Sequence, residues 1–317
     1  MTLPSTMRAW RMHDYGGDEV MRFEEAPVPE PGPGEVLVQV NAASVNPVDW
    51  KIRDGMLRNS FAVNFPRIPG RDCAGTVAAL GAGVHGIALG DAVAGLSSPA
   101  GDGCHAEYAV LSDQAMARKP QALGFSEATA LGVSGLSAYI PLVEDAAVKS
   151  GMRVLIHAGA GGVGSLAVQM ARHLGADVLA TCGAANIEYV RGLGARQAID
   201  YARERLDAFA GQCDVVLDTL GGGTHTRSLD LLKSGGVMVC LAAAPVPPQP
   251  PRPDVTVIRS QIRPTRARLE RIFEWAASGI IRAQVTRVLP VAQLPSAYAL
   301  SKGGHVRGKI VLQMRGE

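Results

Sequence analysis

A glycine-rich segment near the middle of the chain carries the clearest chemical signal. It follows the apolar residues 154–156, opens a helical pattern and consists of Gly159, Ala160, Gly161, Gly162, Val163 and Gly164. In such a loop the first glycine permits a tight turn, the second lets backbone N–H groups approach a pyrophosphate, and the third lets helix and strand pack closely. The helix N-terminus adds partial positive charge that favours phosphate. The segment therefore predicts a dinucleotide-binding site, with a purely structural turn as the alternative.

The residues after the next predicted strand indicate which dinucleotide binds. A site that prefers NAD places Asp or Glu about 20 residues after the loop, where the carboxylate holds the ribose 2′-hydroxyl. This place is occupied by Thr181, Cys182, Gly183 and Ala184. Without a carboxylate, a 2′-phosphate is not repelled, which favours NADPH over NADH. The nearest basic residue is Arg191, so positive charge adds little to this argument.

Two different patterns divide the chain into the elements that must position this loop. In the first third of the chain, short β-branched runs alternate with turns rich in Gly and Pro, such as residues 30–34, which is typical of an irregular β domain. From about Arg153, strands are predicted near 154–156, 177–182, 198–199, 214–217 and 237–241, and helices near 163–174, 186–193 and 226–233. This alternation predicts a parallel sheet with helices on both faces.

The last part of the chain departs from that alternation. The proline-rich residues 247–253 predict an exposed loop or the exit from the parallel-sheet domain. An amphipathic helix is predicted around residues 269–276, ending at Gly279, and residues 284–313 have a strand-like composition.

The composition excludes several classes of function. With 317 residues and a net charge of +2, the chain offers no electrostatic case for binding nucleic acid or anionic membrane. Apolar runs stay short of the roughly 18 residues that a spanning helix needs. Five widely spaced cysteines argue against a disulfide framework, and the first seven residues lack the apolar stretch of a signal peptide, so we expect a cytoplasmic protein.

Further motifs occur in the order seen in a known family. They are residues 7–10, 44–50, 69–77, 90–93 and 105–108, the glycine loop, and residues 218–222 and 308–312. With them the chain resembles the medium-chain dehydrogenase/reductase superfamily, and within it the zinc-independent, zeta-crystallin-like quinone oxidoreductases. The resemblance implies an α/β fold with a Rossmann doubly wound parallel sheet domain (122–262) and a GroES-like irregular β-barrel domain (1–121, with a C-terminal return over 263–317). It also implies that the nicotinamide lies in the cleft between these domains.

The resemblance bears directly on metal binding. Where alcohol dehydrogenases of this superfamily hold a catalytic zinc, the sequence has Asn46, Arg71 and Val133. Arg and Val cannot ligate zinc and Asn is a poor ligand. The four closely spaced cysteines of the structural zinc lobe are absent, and Cys104-His105 has no partner at metal spacing and is interpreted as a strand start. The sequence therefore predicts a reductase without zinc.

Asn46 and Asp49 are the predicted catalytic residues. The Asn46 amide would donate to the acceptor carbonyl or to the nicotinamide ribose, as the resemblance implies. A helix N-cap before Pro47 is an equally open and compatible role. Asp49 would help to position cofactor or substrate, or would serve only as a carboxylate in the first turn of a helix.

The resemblance also places residues near the cofactor. Ser137 would lie near the nicotinamide and Tyr201 beside the 2′-phosphate, whereas Asn186 replaces the Lys of many NADPH-dependent relatives. Leu220 and Leu241 would touch the nicotinamide side or simply pack. The apolar walls of the acceptor site, or else ordinary core residues, would be Trp50, Met56, Phe61 and Phe65.

The predicted function is NADPH-dependent hydride transfer to a small-molecule acceptor, a quinone or a related conjugated carbonyl. Such an acceptor is electron-poor, and water can protonate the hydroquinone anion, so binding and orientation are sufficient without a metal. One alternative is a 2-alkenal, enone or enoyl reductase. Relatives that reduce enoyl thioesters use a tyrosine as the acid shortly after the Asn-Pro segment, and the lack of tyrosine in residues 51–58 weakens the enoyl-reductase alternative. Another is a non-catalytic NADPH-binding protein. The resemblance implies a homodimer formed through edge strands of the Rossmann sheet.

Overall fold

The computed structural model describes residues 3–60, 63–241 and 252–315, so Phe61 and most of the proline-rich segment lie outside the described residues. The strands are β1 (Thr6–Met12), β2 (Met21–Pro27), β3 (Glu35–Val45), β4 (Asp72–Leu80), β5 (Ala92–Leu96), β6 (Tyr108–Ser112), β7 (Met116–Arg118), β8 (Arg153–Ile156), β9 (Asp177–Cys182), β10 (Gln197–Asp200), β11 (Cys213–Asp218), β12 (Leu232–Cys240), β13 (Thr256–Arg259), β14 (Val285–Pro290) and β15 (Lys309–Gln313). The α-helices are α1 (Pro47–Arg53), α2 (Phe125–Tyr139), α3 (Gly162–His173), α4 (Ile187–Gly192), α5 (Gly222–Ser228), α6 (Arg266–Ala277) and α7 (Leu294–Lys302).

These elements form two compact units. The first unit comprises Met1–Val133, Pro264–Ala277 and Gln284–Glu317, and the second unit comprises Ser134–Arg263 and Ser278–Ala283. Among the residues described, no helix combines the length and the apolar composition that crossing a bilayer requires. The five cysteines are free and buried, as small core residues are.

The second unit contains a six-stranded sheet in the order β10-β9-β8-β11-β12-β13, in which all neighbouring strands are parallel. Numbered along the unit, this order is 3-2-1-4-5-6, the doubly wound order of a dinucleotide-binding sheet. The order reverses between β8 and β11, and ligands of such sheets bind at the carboxyl ends of the strands at that switch point. The predicted Rossmann fold is therefore confirmed.

One helix of this unit was predicted in the wrong place. Residues 226–233 are not one helix, because α5 ends at Ser228 and β12 begins at Leu232. The apolar residues Leu229, Leu231 and Leu232 do not continue a helical face and instead pack into the core beneath the sheet. Helical spacing in this stretch is therefore produced by a helix end and a strand start that bury their side chains against the same core.

The first unit is built on a seven-stranded sheet in the order β14-β15-β3-β4-β5-β7, with β6 also paired to β3. The C-terminal strand β15 is antiparallel to β3, with Ile310 opposite Val45 and Val311 opposite Ser44. On the other side of β3, Ser44 lies opposite Asp72 of β4. The carboxyl end of β3 and the first residues of β4 and β15 therefore meet.

The composition of the tail predicts strands, but the tail also contains a helix. The nine-residue helix α7 separates β14 from β15 and buries Leu294, Ala297 and Tyr298. These side chains have i, i+3, i+4 spacing and pack with Trp10 and Val45 in an apolar cluster. Strand-like composition therefore describes only the two ends of the tail.

Candidate functional site

Asn46 lies where β3 ends and α1 begins, in a buried polar cluster of the first unit. Its Nδ2 donates to Asp72 Oδ1 at 3.0 Å, and its Oδ1 accepts from Lys309 Nζ at 2.6 Å. Asn46 takes the N-cap position of α1, and its backbone N–H donates to Asp49 Oδ2 at 2.7 Å. The Asn46 amide is therefore held at both ends by groups outside the helix.

Asp72 connects this amide to its surroundings. Its Oδ1 also accepts from Ser44 Oγ at 2.6 Å, and its Oδ2 accepts from the Val133 N–H at 2.8 Å. Asn46, Arg71 and Val133, which match the zinc-ligand positions of alcohol dehydrogenases, are thus brought together around the Asp72 carboxylate. Asp72 itself is fully buried.

Lys309 also belongs to this polar cluster, although the sequence alone predicts no role for it. Only 5% of its surface is exposed, and its ammonium donates to Val45 O at 2.8 Å as well as to Asn46 Oδ1. Burial lowers the pKa of Lys309, and the nearby carboxyls of Asp72 and Asp49 oppose this shift. The sequence feature that could have identified Lys309 is its position at the start of an apolar strand. A lysine in such a strand is buried, and lysine is rarely buried without partners.

His105 and Tyr298 lie beside this cluster and are also absent from the predicted site. His105 Nδ1 is 3.3 Å from Tyr298 Oη, and His105 Nε2 is 3.4 Å from Ser44 O. Burial lowers the pKa of His105 to about 4, so the ring is neutral near neutral pH. His105 precedes β6 rather than starting it, because β6 begins at Tyr108.

Asp49 is the most unusual acid of the cluster. Its Oδ1 is buried and has no hydrogen-bond partner among the described residues. Burial raises the pKa of Asp49 to about 7; the Asn46 N–H, Lys309 and Arg71 oppose the shift, and Asp72 adds to it. The carboxyl is therefore partly protonated near neutral pH and has an oxygen available for a further hydrogen bond.

We expect Asp49 to make the protein less stable as the pH rises. In the folded state the carboxyl keeps its proton up to about pH 7, whereas in the unfolded chain it ionises near its ordinary value of 3.8. The folded state therefore holds the extra proton, and its stability falls as the pH rises through this window. We expect the free energy of unfolding of Asp49→Asn, measured with urea, to rise relative to that of the wild type by roughly 2 to 3 kcal/mol between pH 5 and pH 8.

Both proteins retain His105 and His157, whose pKa values burial lowers to about 4, so the difference between them isolates Asp49. A difference that stays constant from pH 5 to pH 8 would contradict this account of Asp49.

The glycine loop of the second unit follows β8 and starts α3. Gly161 is the N-cap of α3, and the Gly159 N–H donates to Thr181 O at 2.7 Å. A Cβ on Gly164 would lie 2.1 Å from Ala158 O, whereas a Cβ on Gly161 would approach the same atom only to 3.4 Å. Gly164 is therefore required by the packing of the loop, while Gly161 leaves the N-terminus of α3 without such a clash.

Some of the residues that are predicted to surround the ribose phosphate are neighbours in the structure. Thr181 and Cys182 end β9, and the Tyr201 N–H donates to Cys182 O at 3.3 Å. Tyr201 is 61% exposed, and a Cβ on Gly183 would be 3.7 Å from its Oη. Asn186 is half-buried at the start of α4. Gly183 and Tyr201 thus lie side by side at the surface, whereas Thr181 and Cys182 are buried.

The other predicted cofactor residues occupy separate places. The Leu220 N–H donates to Asp218 Oδ1 at 2.9 Å and the Leu241 N–H donates to Asp218 O at 3.0 Å, so both lie beyond the carboxyl ends of β11 and β12. Leu220 is exposed and Leu241 half-buried. Ser137 is buried within α2.

The proposed apolar walls divide into two groups. Trp50 and Phe65 pack against the core that contains Trp10 and Tyr298. Met56 is exposed and lines a cavity of about 560 Å³ together with Tyr15 and others. Of the described candidates, Met56 therefore offers a surface for a ligand.

Among the described residues, one group of three side chains has the donor types and spacing of a metal site. It consists of Asp218, His225 and Cys240. His225 Nδ1 is 3.1 Å from Asp218 Oδ2 and 3.3 Å from Cys240 Sγ, and all three residues are buried. Asp218 Oδ1 meanwhile accepts from the N–H groups of Leu220 and Gly221 at 2.9 Å each. The group thus shapes the loop after β11 in the second unit, whereas Asn46, Arg71 and Val133 belong to the first unit.

Known proteins resemble the chain over most of its length. The family described as Alcohol dehydrogenase GroES-like domain matches residues 32–122, and the family described as Zinc-binding dehydrogenase matches residues 193–312. The chain is 33% identical over 323 residues to the chloroplast envelope quinone oxidoreductase homolog of Arabidopsis thaliana, and the match covers 97% of this chain and 98% of that protein. This chain belongs to the medium-chain dehydrogenase/reductase superfamily.

Other members of the medium-chain dehydrogenase/reductase superfamily are similar to the same extent. The chloroplastic NADPH-dependent alkenal/one oxidoreductase of Arabidopsis thaliana is 32% identical over 326 residues, covering 98% of this chain and 80% of that protein. The quinone oxidoreductase structure from Coxiella burnetii has a TM-score of 0.89 and 32% identity, with 98% of this chain and 100% of that chain covered. The resemblance found in the motifs is confirmed, and this dehydrogenase/reductase is an oxidoreductase.

The description of one matched family implies zinc, but the side chains of this dehydrogenase/reductase at the matching positions offer few donors for it. Asn46 Oδ1 already accepts from a buried ammonium at 2.6 Å, Arg71 carries a positive charge, and the Val133 side chain has no donor atom. Zinc needs lone pairs from nitrogen, sulfur or oxygen ligands. These three residues therefore do not fit a zinc ion.

Proposed function

We propose that the protein catalyses NADPH-dependent hydride transfer to quinones or related conjugated carbonyls, without a metal. The observation that carries this proposal is the glycine loop, where Gly164 allows close packing and Gly161 leaves the N-terminus of α3 open to a pyrophosphate. Thr181, Cys182, Gly183 and Ala184, which end β9 and follow it, carry no carboxylate of their own, and this supports NADPH rather than NADH. When bound, the dinucleotide supplies the hydride.

Asn46 is proposed to orient the acceptor or the nicotinamide ribose. Asp72 and Lys309 fix its amide plane, because each engages a different end of the amide. The second hydrogen of Nδ2 has only a long contact of 3.4 Å with Ser44 Oγ, so it can donate to a ligand oxygen. A fixed donor lowers the entropy cost of orienting the acceptor.

A specific observation favours 2-alkenal or enone reduction as a second candidate. Saturating a C=C bond leaves a carbanion that must receive a proton, whereas water can protonate a hydroquinone anion. Asp49 combines a pKa of about 7 with an unpartnered Oδ1, which suits a group that holds and delivers a proton. The similarity to an alkenal/one oxidoreductase supports the same candidate.

The test is steady-state oxidation of NADPH with four acceptors: 1,4-naphthoquinone, 9,10-phenanthrenequinone, 2-hexenal and an enoyl thioester. The proposal expects the highest kcat/KM with one of the quinones. A preference for 2-hexenal by orders of magnitude would replace the quinone assignment with the second candidate. Tight NADPH binding without oxidation in the presence of any of the four would reject both.

The choice of cofactor is tested by the Gly183→Asp variant. A Cβ at this position meets nothing closer than Tyr201 Oη at 3.7 Å, so the substitution should fold normally. The new carboxylate would repel a 2′-phosphate and accept from a 2′-hydroxyl. We expect kcat/KM for NADPH to fall by roughly tenfold or more, with little loss for NADH. Equal effects on both cofactors would contradict the proposed ribose site, and Gly192→Ala, at an exposed glycine with no atom within 4 Å, is the control.

The cytoplasmic location and the homodimer remain predictions. Five free cysteines buried in the core support a reducing compartment. Sedimentation of the purified protein decides the oligomeric state.

A further inference from the structure

Two arginines of the first unit, Arg67 and Arg71, have donor groups that the protein does not use. Arg67 is only 5% exposed, and its Nη2 donates to Pro99 O at 2.8 Å. Its Nε and Nη1 are buried and have no hydrogen-bond partner among the described residues. A buried donor left without an acceptor costs about 1 to 3 kcal/mol, so an arginine with two such donors calls for an explanation.

Arg71 adds a second positive charge at this place. The residue is half-buried, and within the described part of the chain its guanidinium makes one hydrogen bond, to Ser97 O. Burial lowers the pKa of Arg67, and the charge of Arg71 lowers it further. The two guanidinium groups donate to carbonyls that are only two residues apart, Pro99 O and Ser97 O, so two positive charges lie beside one short segment and favour a compensating anion.

The neighbouring carboxyl groups act on the two arginines without binding their guanidinium groups. Asp102 is exposed and accepts from the Ile68 N–H at 2.8 Å, and the Asp72 oxygens accept from Ser44, Asn46 and Val133. Over residues 3–60, 63–241 and 252–315, the hydrogen bonds of the two guanidinium groups go to the carbonyls of Pro99 and Ser97. Lys309 is a third buried cation, and it lies near Asp49. Its positive charge lowers the pKa of Asp49 and so opposes the rise that burial causes.

A cavity lies beside the segment that leads to Arg67. Tyr15 packs edge-on against Phe65, two residues before Arg67, with the ring centroids 4.9 Å apart. Tyr15 also lines the cavity of about 560 Å³ that includes Met56 and Arg58. A cavity of this size accommodates a small aromatic molecule.

We propose that Arg67 and Arg71 form an oxyanion-binding site for the acceptor. The free donors of Arg67 and the exposed side of Arg71 would bind a negatively charged oxygen, with the unpartnered Asp49 Oδ1 as an additional contact when that carboxyl is protonated. This inference rests on the proposed function and specifies its substrate. The oxygen belongs either to a permanent anionic group of the acceptor or to the carbonyl that becomes anionic when hydride adds to the conjugated system. Charge-assisted hydrogen bonds from guanidinium suit both sources.

The kinetic test compares 1,2-naphthoquinone with 1,2-naphthoquinone-4-sulfonate in the wild type, Arg67→Met, Arg71→Met and the exposed control Arg22→Met. If the arginines bind a permanent anion, kcat/KM for the sulfonate alone should fall by about tenfold or more in both variants. If they stabilise the developing oxyanion, kcat should fall similarly for both quinones. Values within about twofold of the control for both acceptors would overturn the proposal.

A second measurement needs neither cofactor nor turnover. Calorimetric titration of the cofactor-free protein with benzoate should show binding to the wild type and to Arg22→Met, and at least about tenfold weaker binding to Arg67→Met and Arg71→Met. Arg67→Lys, which keeps the charge and removes the fork of donors, replaces Arg67→Met if that variant does not fold. No benzoate binding to the wild type, or equal binding to all variants, contradicts the site. If the wild type binds benzoate but does not oxidise NADPH in the presence of any of the acceptors, the proposed function fails while the anion site stands.

Discussion

Replacing Gly164 with alanine is expected to weaken NADPH binding by roughly 100-fold, about 2.7 kcal/mol. The added Cβ would lie 2.1 Å from Ala158 O and 2.7 Å from Ala158 C, both of which are backbone atoms that cannot move independently of the loop. Either α3 shifts away from β8 or the loop opens, and both displace the N–H groups that would bind the pyrophosphate. Fluorescence titration with NADPH measures the effect, and the melting temperature should also fall.

Gly161→Ala provides the matched comparison. Its Cβ would meet Ala158 O at 3.4 Å, an ordinary contact, so the fold should be retained. The added methyl group would nevertheless occupy the side from which a pyrophosphate approaches, so we expect weaker NADPH binding at an unchanged melting temperature. Gly192→Ala, at an exposed helix end, should change neither quantity. If Gly164→Ala bound NADPH as tightly as Gly192→Ala, the assignment of the loop would be wrong.

The second large effect is expected from Asp72→Ala, which should lower the free energy of unfolding by about 3 kcal/mol or more. The carboxylate accepts hydrogen bonds from Ser44 Oγ, Asn46 Nδ2 and the Val133 N–H, and all would lose their acceptor in a buried place. Lys309 would also lose one of the negative charges that oppose the effect of burial on its pKa. Urea denaturation measures the change.

The Asp72→Ala substitution also separates the effect of Asn46 on kcat from the binding of NADPH. The Asn46 amide would lose the partner of its Nδ2, so kcat should fall in whatever fraction remains folded, while the Kd for NADPH on the second unit should change little. Glu25→Ala, at an exposed carboxylate of β2, is the control and should stay within about 0.5 kcal/mol of the wild type. An Asp72→Ala protein with wild-type stability would contradict the role given to this carboxylate.

The glycine loop was predictable because its evidence is local. A buried strand, six residues with four glycines and an amphipathic helix follow one another directly, and the chemistry of each glycine is known from its position. The structure places α3 over Gly162–His173 and β9 over Asp177–Cys182, in agreement with the predicted helix and strand. Local sequence therefore carried both the element boundaries and the hypothesis about the ligand.

The polar cluster around Asn46 was predictable only in part. Asn46 and Asp49 are close in sequence, but Asp72 lies 26 residues and Lys309 263 residues from Asn46. They meet because β4 and β15 flank β3 in particular registers, and a single sequence does not specify strand register across such distances. The unused donors of Arg67 are likewise visible only once burial is known.

The errors in secondary structure have a common cause. The helices α5 and α7 are short, with seven and nine residues, and both bury side chains in the protein core. Apolar residues at helical spacing, such as Leu229 and Leu232, then belong to a turn and a strand that face the same core. Tertiary contacts override periodicity in segments of this length.

The central claim is that this protein's residues orient an acceptor for direct hydride transfer from a bound dinucleotide, without a metal. The measurement that tests it most directly is NADPH oxidation by chelator-treated, metal-free protein, with NADPH carrying deuterium at one or the other C4 position and naphthoquinone or 2-hexenal as acceptor. The account predicts acceptor-dependent oxidation at the untreated rate, slowed by deuterium at only one of the two positions. Activity that disappears with the metal and returns when zinc is added would contradict it.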